Sequence, residues 1–241
     1  MVFTACLRTD GFGSCDLYIS RKSGNEWSKP LNMGKNINTS YKESQPSLSS
    51  DGKTIYFASN RPGGKGKFDI WQSRLNDAGN WSVPENLGDS INTEGEDFAP
   101  FIHYDNQTLY FSSDGHPGMG GTDIFISRKD ESGNWSKAKN AGYPINTHFS
   151  EESLVVDAYG TLGLFSSDMD GGYGQKDIYK FEIPTELRPR HTIFIKGLVY
   201  NAKTMKPLQA EISISIFADR LSLQTESDGV NGNFLICLPP G

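Results

Sequence analysis

The stretch Ser50-Asp51-Gly52-Lys53-Thr54-Ile55-Tyr56-Phe57, with Asp69-Ile70-Trp71 and Trp81-Ser82-Val83-Pro84-Glu85-Asn86-Leu87-Gly88 after it, decides the fold because it recurs. Trp27, Trp81 and Trp135 stand 54 residues apart, as do Asn38-Thr39, Asn92-Thr93 and Asn146-Thr147. Tyr56-Phe57, Tyr110-Phe111 and Leu164-Phe165 keep the same step. Asp16, Asp69, Asp123 and Asp177 follow at 53, 54 and 54, each opening a strand-like triplet such as Asp123-Ile124-Phe125. A fixed period of this size marks a solenoid, a propeller or an array.

One period divides into short strands. Gln45 to Ser49 is extended and ends in a Ser-Asp-Gly-Lys turn, Thr54 to Ser59 is rich in β-formers, and Asn60 to Lys67 is a Gly/Pro/Lys loop. Phe68 to Leu75 reads as a third strand and Trp81 to Leu87 as a fourth, interrupted one; no segment has helical spacing with caps. Four short antiparallel strands per unit describe a propeller blade, whereas a solenoid coil is shorter and repeats one aliphatic ladder. Blade geometry sets the roles. Tyr56-Phe57 and its equivalents belong to a strand packed on both faces, and Trp27, Trp81 and Trp135 pack between blades or on their own blade's outer strand. Asp16, Asp69, Asp123 and Asp177 read as acceptors for N–H groups of the Gly-rich loop ahead of them. The acid at Glu43, Asp97 and Glu151 also recurs and reads as a loop tether.

Composition narrows the class. The 241 residues carry 23 Lys+Arg against 29 Asp+Glu, a net charge of −6, so no basic surplus exists to neutralise nucleic-acid phosphates. Aromatics at 12% are too many for a disordered chain. No apolar run approaches the roughly 20 residues of a membrane helix. The polar, proline-bounded segment 185–191 separates a propeller part, 1–184, from a tail, 192–241. The tail carries 6 basic and 5 acidic residues and alternates over Ile193 to Tyr200 and Ala210 to Phe217. Both ends read as cut from a longer exported chain.

The units Tyr-Phe-x-Ser-x-Arg-x-Gly-Gly…Asp-Ile-Trp, Ser-x-Asp-Gly-Lys-x-Ile-Tyr-Phe and Trp-Ser-x-Pro-x-Asn-Leu-Gly resemble the TolB-type, WD40-like propeller repeats of bacterial envelope proteins. With Ile-Asn-Thr after Asn-Leu-Gly, they resemble OmpA-family proteins of the Bacteroidetes type. The resemblance spans residues 2 to about 184. The fourth repeat departs: Leu154 replaces Pro46 and Pro100, and no Trp-Ser-x-Pro follows Tyr179. In the tail, Ile195-Lys196-Gly197-Leu198-Val199, Thr204-x-x-Pro207-Leu208-x-Ala210, Gly232-Asn233-Phe234 and Leu238-Pro239-Pro240-Gly241 resemble the first two-thirds of a carboxypeptidase-regulatory-like domain, a transthyretin-like β-sandwich. The resemblance implies a periplasmic, outer-membrane-associated protein with envelope-protein partners, some members serving type IX secretion. It implies peptidoglycan binding only through a module absent from these residues.

Sites of chemistry are few. Cys6 and Cys15 flank Leu7 to Ser14 at the ends of adjacent strands, within disulfide reach; the alternative is two buried free thiols. No further Cys/His pair lies near for zinc. Cys237 alternates with apolar neighbours as a core residue. Asp168-Met169-Asp170-Gly171-Gly172 with Asp177 offers carboxylates around a glycine loop, but an EF-hand needs Glu where Tyr179 stands, and turn chemistry accounts for the pattern. No nucleophile elbow, His-Glu-x-x-His or phosphate loop occurs. Glu151-Glu152 is a glycosidase carboxylate only with a partner roughly 5–9 Å away. Phe12, Phe68, Tyr143 and Tyr173 either stack on sugars or pack between blades.

The expectation is an all-β chain: a partial β-propeller of about three and a half four-stranded blades, then an incomplete transthyretin-like β-sandwich. Its function is non-catalytic scaffolding or protein binding, with no cofactor, metal, nucleic acid or membrane span. The alternatives are a glycan-binding module and a propeller-type glycosidase.

Overall fold

The structure, a computed structural model, describes residues 1–216 and 221–238. Phe217, at the end of the second tail alternation, and the Pro239-Pro240-Gly241 motif lie outside the described residues. The protein is all-β, and each 54-residue period forms one sheet. The first comprises β1 (Val2–Cys6), β2 (Cys15–Ile19) and β5 (Leu31–Asn32), with the small ribbon β3 (Lys22–Ser23)/β4 (Glu26–Trp27) inserted before β5. The second is β6 (Glu43–Leu48), β7 (Thr54–Ser59), β8 (Asp69–Arg74) and β9 (Glu85–Asn86), in that spatial order. The third repeats it with β10 (Asp97–Ile102), β11 (Thr108–Ser113), β12 (Asp123–Arg128) and β13 (Lys139–Asn140). The fourth holds β14 (Glu151–Val156), β15 (Leu162–Ser167) and β16 (Asp177–Glu182). The sheets, called blades below, are therefore two of four strands and two of three, and every pairing within them is antiparallel.

The fourth strand is shorter than the sequence implies. Over Trp81 to Leu87 only Glu85–Asn86 joins the ladder. Pro84 has no N–H to give, and ahead of it Ser82 substitutes a side chain for backbone pairing: its hydroxyl accepts the Arg74 N–H at 3.1 Å, and its carbonyl accepts from Ser73 Oγ at 2.7 Å.

The blades bury little within themselves and much between one another. Residues of the second strand alternate between two neighbours. Ile55 and Phe57 face the first blade, in a cluster with Leu17 and Ile37, while Tyr56 faces the third, in a cluster with Leu109, Phe111 and Phe125. Tyr110 then meets Leu154 and Phe165 of the fourth. Each such side chain, fully buried, contributes about 1.5–3 kcal/mol. A recurrent tryptophan closes each cluster from the next blade. Trp81 joins Val2, and Trp135 meets Tyr56 edge-on at 6.0 Å. Trp27 is half-exposed, for no described blade stands before it.

The innermost strands share a bulge. Register slips between Ser44 and Ser47, Phe98 and Phe101, and Glu152 and Val155. The slips coincide with left-handed backbone at Gln45 (φ 52°), Ala99 (48°) and Ser153 (58°). Non-glycine residues in that region cost of order 1–3 kcal/mol each, and the preceding blade supplies a partner for each freed N–H. Thr4 Oγ1 accepts from Gln45 at 3.0 Å and Ser112 Oγ from Ser153 at 3.0 Å. Where the repeat places Ala58, the Gln45 side chain takes over and accepts from Ala99 at 3.1 Å.

The segment after β16 packs against the third blade. A 3-10 turn at Thr185–Leu187 inserts Leu187 into the cluster of Tyr110, whose hydroxyl donates to the Leu187 carbonyl at 2.6 Å. Leu187 thus covers Tyr110 as Trp135 covers Tyr56, in a repeat without its own tryptophan. The chain then crosses the turn after β10, where Arg190 N–H donates to Asp105 Oδ2 at 2.9 Å. It continues into two antiparallel pairs, β17 (Ile193–Leu198) with β20 (Asn233–Leu238) and β18 (Glu211–Ile216) with β19 (Leu221–Glu226). Cys237 is half-buried at their margin, its thiol directed at the Tyr104 carbonyl, while Ile236 beside it is the buried residue.

Two predictions follow from these anchors. Leu187→Ala should lower stability by about 2–5 kcal/mol, since it empties the space over Tyr110; a shift in the urea midpoint worth under about 1 kcal/mol would show that the linker does not brace the blades. Burial pushes the Asp105 carboxyl up, but the His103 imidazole and donors from Gln107 and Thr108 outweigh it and hold the pKa at about 2, below the ordinary 3.8. A depressed folded pKa stabilises fully above the ordinary value, and that stability is lost as pH falls towards 2. Asp105→Asn should therefore flatten the decline of melting temperature across this acid window.

Candidate functional site

The recurrent acids gather at one end of every blade, in register. Glu43 pairs across to Ser59 and Ser59 to Asp69; Asp97, Ser113 and Asp123 form the same row in the third blade, and Glu151, Ser167 and Asp177 in the fourth. Hydrogen bonds to the loops occupy both acids of each row. Asp69 Oδ2 accepts from Lys65 N–H at 2.6 Å, Asp123 Oδ2 from Met119 at 2.8 Å and Gly120 at 3.2 Å, and Asp177 Oδ2 from Tyr173 at 2.8 Å and Gly174 at 3.0 Å. Asp16 does the same for Phe12 and Gly13. The motif is Gly-x-Gly, and both glycines are required sterically: a Cβ on Gly118 would overlap Asp123 Oδ2, and one on Gly120 the Phe149 carbonyl.

The inner acids brace the next connection. Thr39 donates through N–H and Oγ1 to Glu43 at 2.9 and 2.6 Å, Thr93 to Asp97 at 2.6 and 2.9 Å, and Thr147 to Glu151 at 3.1 and 2.6 Å. The asparagine before each threonine extends the ladder where the outer strand diverges. Asn92 Oδ1 accepts the Ile70 N–H at 2.8 Å and its Nδ2 donates back to the Ile70 carbonyl at 3.0 Å; Asn38 and Asn146 bond Leu17 and Ile124 in the same way.

The rows differ in their cation. In the second blade Arg61 lies 3.1 Å from Glu43, both buried, and stacks over Phe57 and Trp71. In the third, a shorter acid faces a shorter base: His116 Nε2 stands 4.0 Å from Asp97 Oδ1 and 2.8 Å from the Ile91 carbonyl. Burial pushes the Asp97 carboxyl above the usual carboxylate range, against hydrogen bonds from Ser113 and Thr93 that lower it. In the fourth, Met169 packs into the cluster beside the row. Asp97 Oδ1 and Asp123 Oδ1 are buried without a partner, and no group of three metal-ligating side chains occurs among the described residues.

Cys6 and Cys15 are cross-strand partners joined in a disulfide, with Cα atoms 3.9 Å apart. Their counterparts show what the bond replaces. Asn60, Asp114 and Asp168, each 54 residues on, accept the N–H of Lys42, Glu96 and Ser150 at the start of their own innermost strand, at 2.9, 2.6 and 2.8 Å. The described first blade has no such strand, and there the loop is clipped covalently.

Between the glycines, the x residues Phe12, Lys65, Met119 and Tyr173 project into solvent. Tyr143 is also exposed, whereas Phe68 is half-buried under the Lys42 ammonium. The largest cleft, about 1020 Å³, lies between the first blade and the C-terminal strands and is lined by Trp81, Arg21, Lys196, Asp228 and Phe234 among others; it contains none of the recurrent acids. No helix among the described residues is long and apolar enough to cross a membrane.

No protein-family model and no curated protein matches the chain. Among solved structures it is similar to TolB from Acinetobacter baumannii, at 13% identity and TM-score 0.49, covering 99% of this chain and 52% of that one. It is similar also to a putative TolB from Agrobacterium tumefaciens, at 12% and 0.48, covering 100% and 70%. An alpha-L-arabinofuranosidase from Lactobacillus brevis stands at 13% and 0.48, covering 75% and 67%. The chain spans about half the length of the first of these. The likeness is one of architecture, shared alike by TolB and a glycosidase.

If the outer aspartates act as loop braces, Asp123→Ala leaves buried donors unpaired and costs about 1–3 kcal/mol, while Asn, keeping one acceptor oxygen, costs less. Melting temperatures with and without chelator test this. A calcium-dependent rise in the wild type, with chelator reproducing the Ala defect, would make these metal sites instead.

Proposed function

We propose that the chain is a non-catalytic, protein-binding scaffold of the bacterial envelope, a periplasmic segment of an OmpA-like, outer-membrane-associated protein, with its C-terminal strands belonging to a regulatory-like sandwich. One observation carries this reading. The same carboxylate and the same pair of glycines fix every Gly-x-Gly loop, while the exposed residue between them changes from Phe12 to Lys65, Met119 and Tyr173. A constant backbone with a varying tip is the build of a display surface, since surfaces recognise through side chains on rigid supports. The Cys6–Cys15 disulfide suits an oxidising compartment. On this reading peptidoglycan is bound by a separate module, and the partner of these blades is an envelope protein.

The test is a Phe12→Ser/Met119→Ser/Tyr173→Ser variant. Its melting temperature should match the wild type, because the tips are exposed, while crosslinking to envelope proteins should fall about tenfold or more, as expected when interface anchors are truncated. Undiminished crosslinking would place the binding surface elsewhere. Retention on immobilised glycans that depends on Tyr173 would favour the glycan-binding alternative. Glycoside hydrolysis lost in Glu151→Gln would favour the enzyme.

A further inference from the structure

The two ends of the row of blades are complementary halves of the interface that joins its members. At each internal joint, the following blade covers two apolar positions of the blade before it. The first is Val2, Tyr56 or Tyr110 on the second strand, and the other is Leu17, Ile70 or Ile124 on the third. The covering residues are the aromatic at Phe57, Phe111 or Phe165 and a side chain from the outer segment, Trp81, Trp135 or Leu187. The next equivalents of the covered pair are Leu164 and Ile178, and these are 42% and 77% exposed. Ser166, equivalent to Thr4 and Ser112, bonds no bulge N–H. At the other end, the preceding equivalents of the covering pair are Phe3 and Trp27, the latter 51% exposed. Each end alone is an apolar face on a sheet, but together they match position for position.

We infer that these faces bind each other between copies of this chain, head to tail, with Trp27 and Phe3 of one copy covering Leu164 and Ile178 of the next. The occupant is a second copy because every copy carries both halves and three internal joints already show how the halves fit. The contact is heterologous: the two surfaces differ, so each copy keeps one free face after pairing, and association continues until a ring closes. The unpaired inner side of β1 lies beside this joint, so the contact is looser than the internal ones and depends on concentration.

Two single substitutions at exposed positions test it without touching the internal clusters. Trp27→Glu removes the covering face, and Ile178→Glu charges the covered one. Sedimentation velocity over a concentration series should show the wild type associating and each variant alone remaining monomeric. An equimolar mixture should form a 1:1 dimer that grows no further, because one variant retains a covering face and the other a covered face. Three outcomes would overturn the proposal: a wild type that stays monomeric throughout, a mixture that stays monomeric, or variants that still associate alone. The last would point to pairing through the edge of β1. Circular dichroism melts of both variants close to the wild type exclude misfolding as the cause of any loss.

Discussion

A sheet of three or four short strands cannot bury both its faces by itself, and everything else in this protein follows from that constraint. The residues that look most like a core, Tyr56, Phe57, Tyr110, Phe111 and Phe125, lie between sheets. The stabilising unit is thus the joint between two blades, as in stacked repeats whose stability is a sum of nearest-neighbour terms. The tryptophan recurs because it reaches over the joint. Leu187 belongs to the same logic: where the fourth repeat brings no tryptophan, the linker folds back and delivers a leucine to the same place.

The polar network serves these joints rather than competing with them. The bulge near the start of β6, β10 and β14 holds a residue in left-handed backbone, and the neighbouring blade accepts its N–H. At the loop end, the rows of acid, serine and aspartate satisfy the donors released where the strands stop, and the asparagines of Asn-Thr carry the ladder past the point where the outer strand leaves. A buried carboxylate unsatisfied at such a place costs far more than a neutral group, which accounts for the density of donors around Glu43 and Glu151. The same braces leave only the loop tips free to vary, and that freedom underlies the scaffold reading.

Much of this architecture is legible in the sequence through its period. The spacing of Trp81 and Trp135, of Asp69 and Asp123, and of the Asn-Thr pairs places the strands, the loops and the inter-blade positions. The bulges at Gln45, Ala99 and Ser153 are not legible, because three unlike residues occupy one special conformation and none is glycine. The fourth strand shrinks to Glu85–Asn86 because Pro84 interrupts its ladder, a local effect outweighing an extended-looking pattern. The role of Leu187 leaves no trace in the repeat, since it stands off the tryptophan position in a segment that reads as polar linker. Asn60, Asp114 and Asp168 recur inside loops, and their bond to the innermost strand becomes visible only when strand and loop are seen side by side.

Native-state hydrogen exchange tests most directly that the joints hold the fold. Amide opening free energies rise with the packing around a strand. Strands enclosed by neighbours on both faces, β7, β8, β11 and β12, should exchange slowest and as one cooperative group. Amides of β15 and β16, covered on one face, and of β1 should open at distinctly lower free energy. Equal protection across all four blades, or slowest exchange in β1 and β16, would contradict the account, for it would place the stability within each sheet.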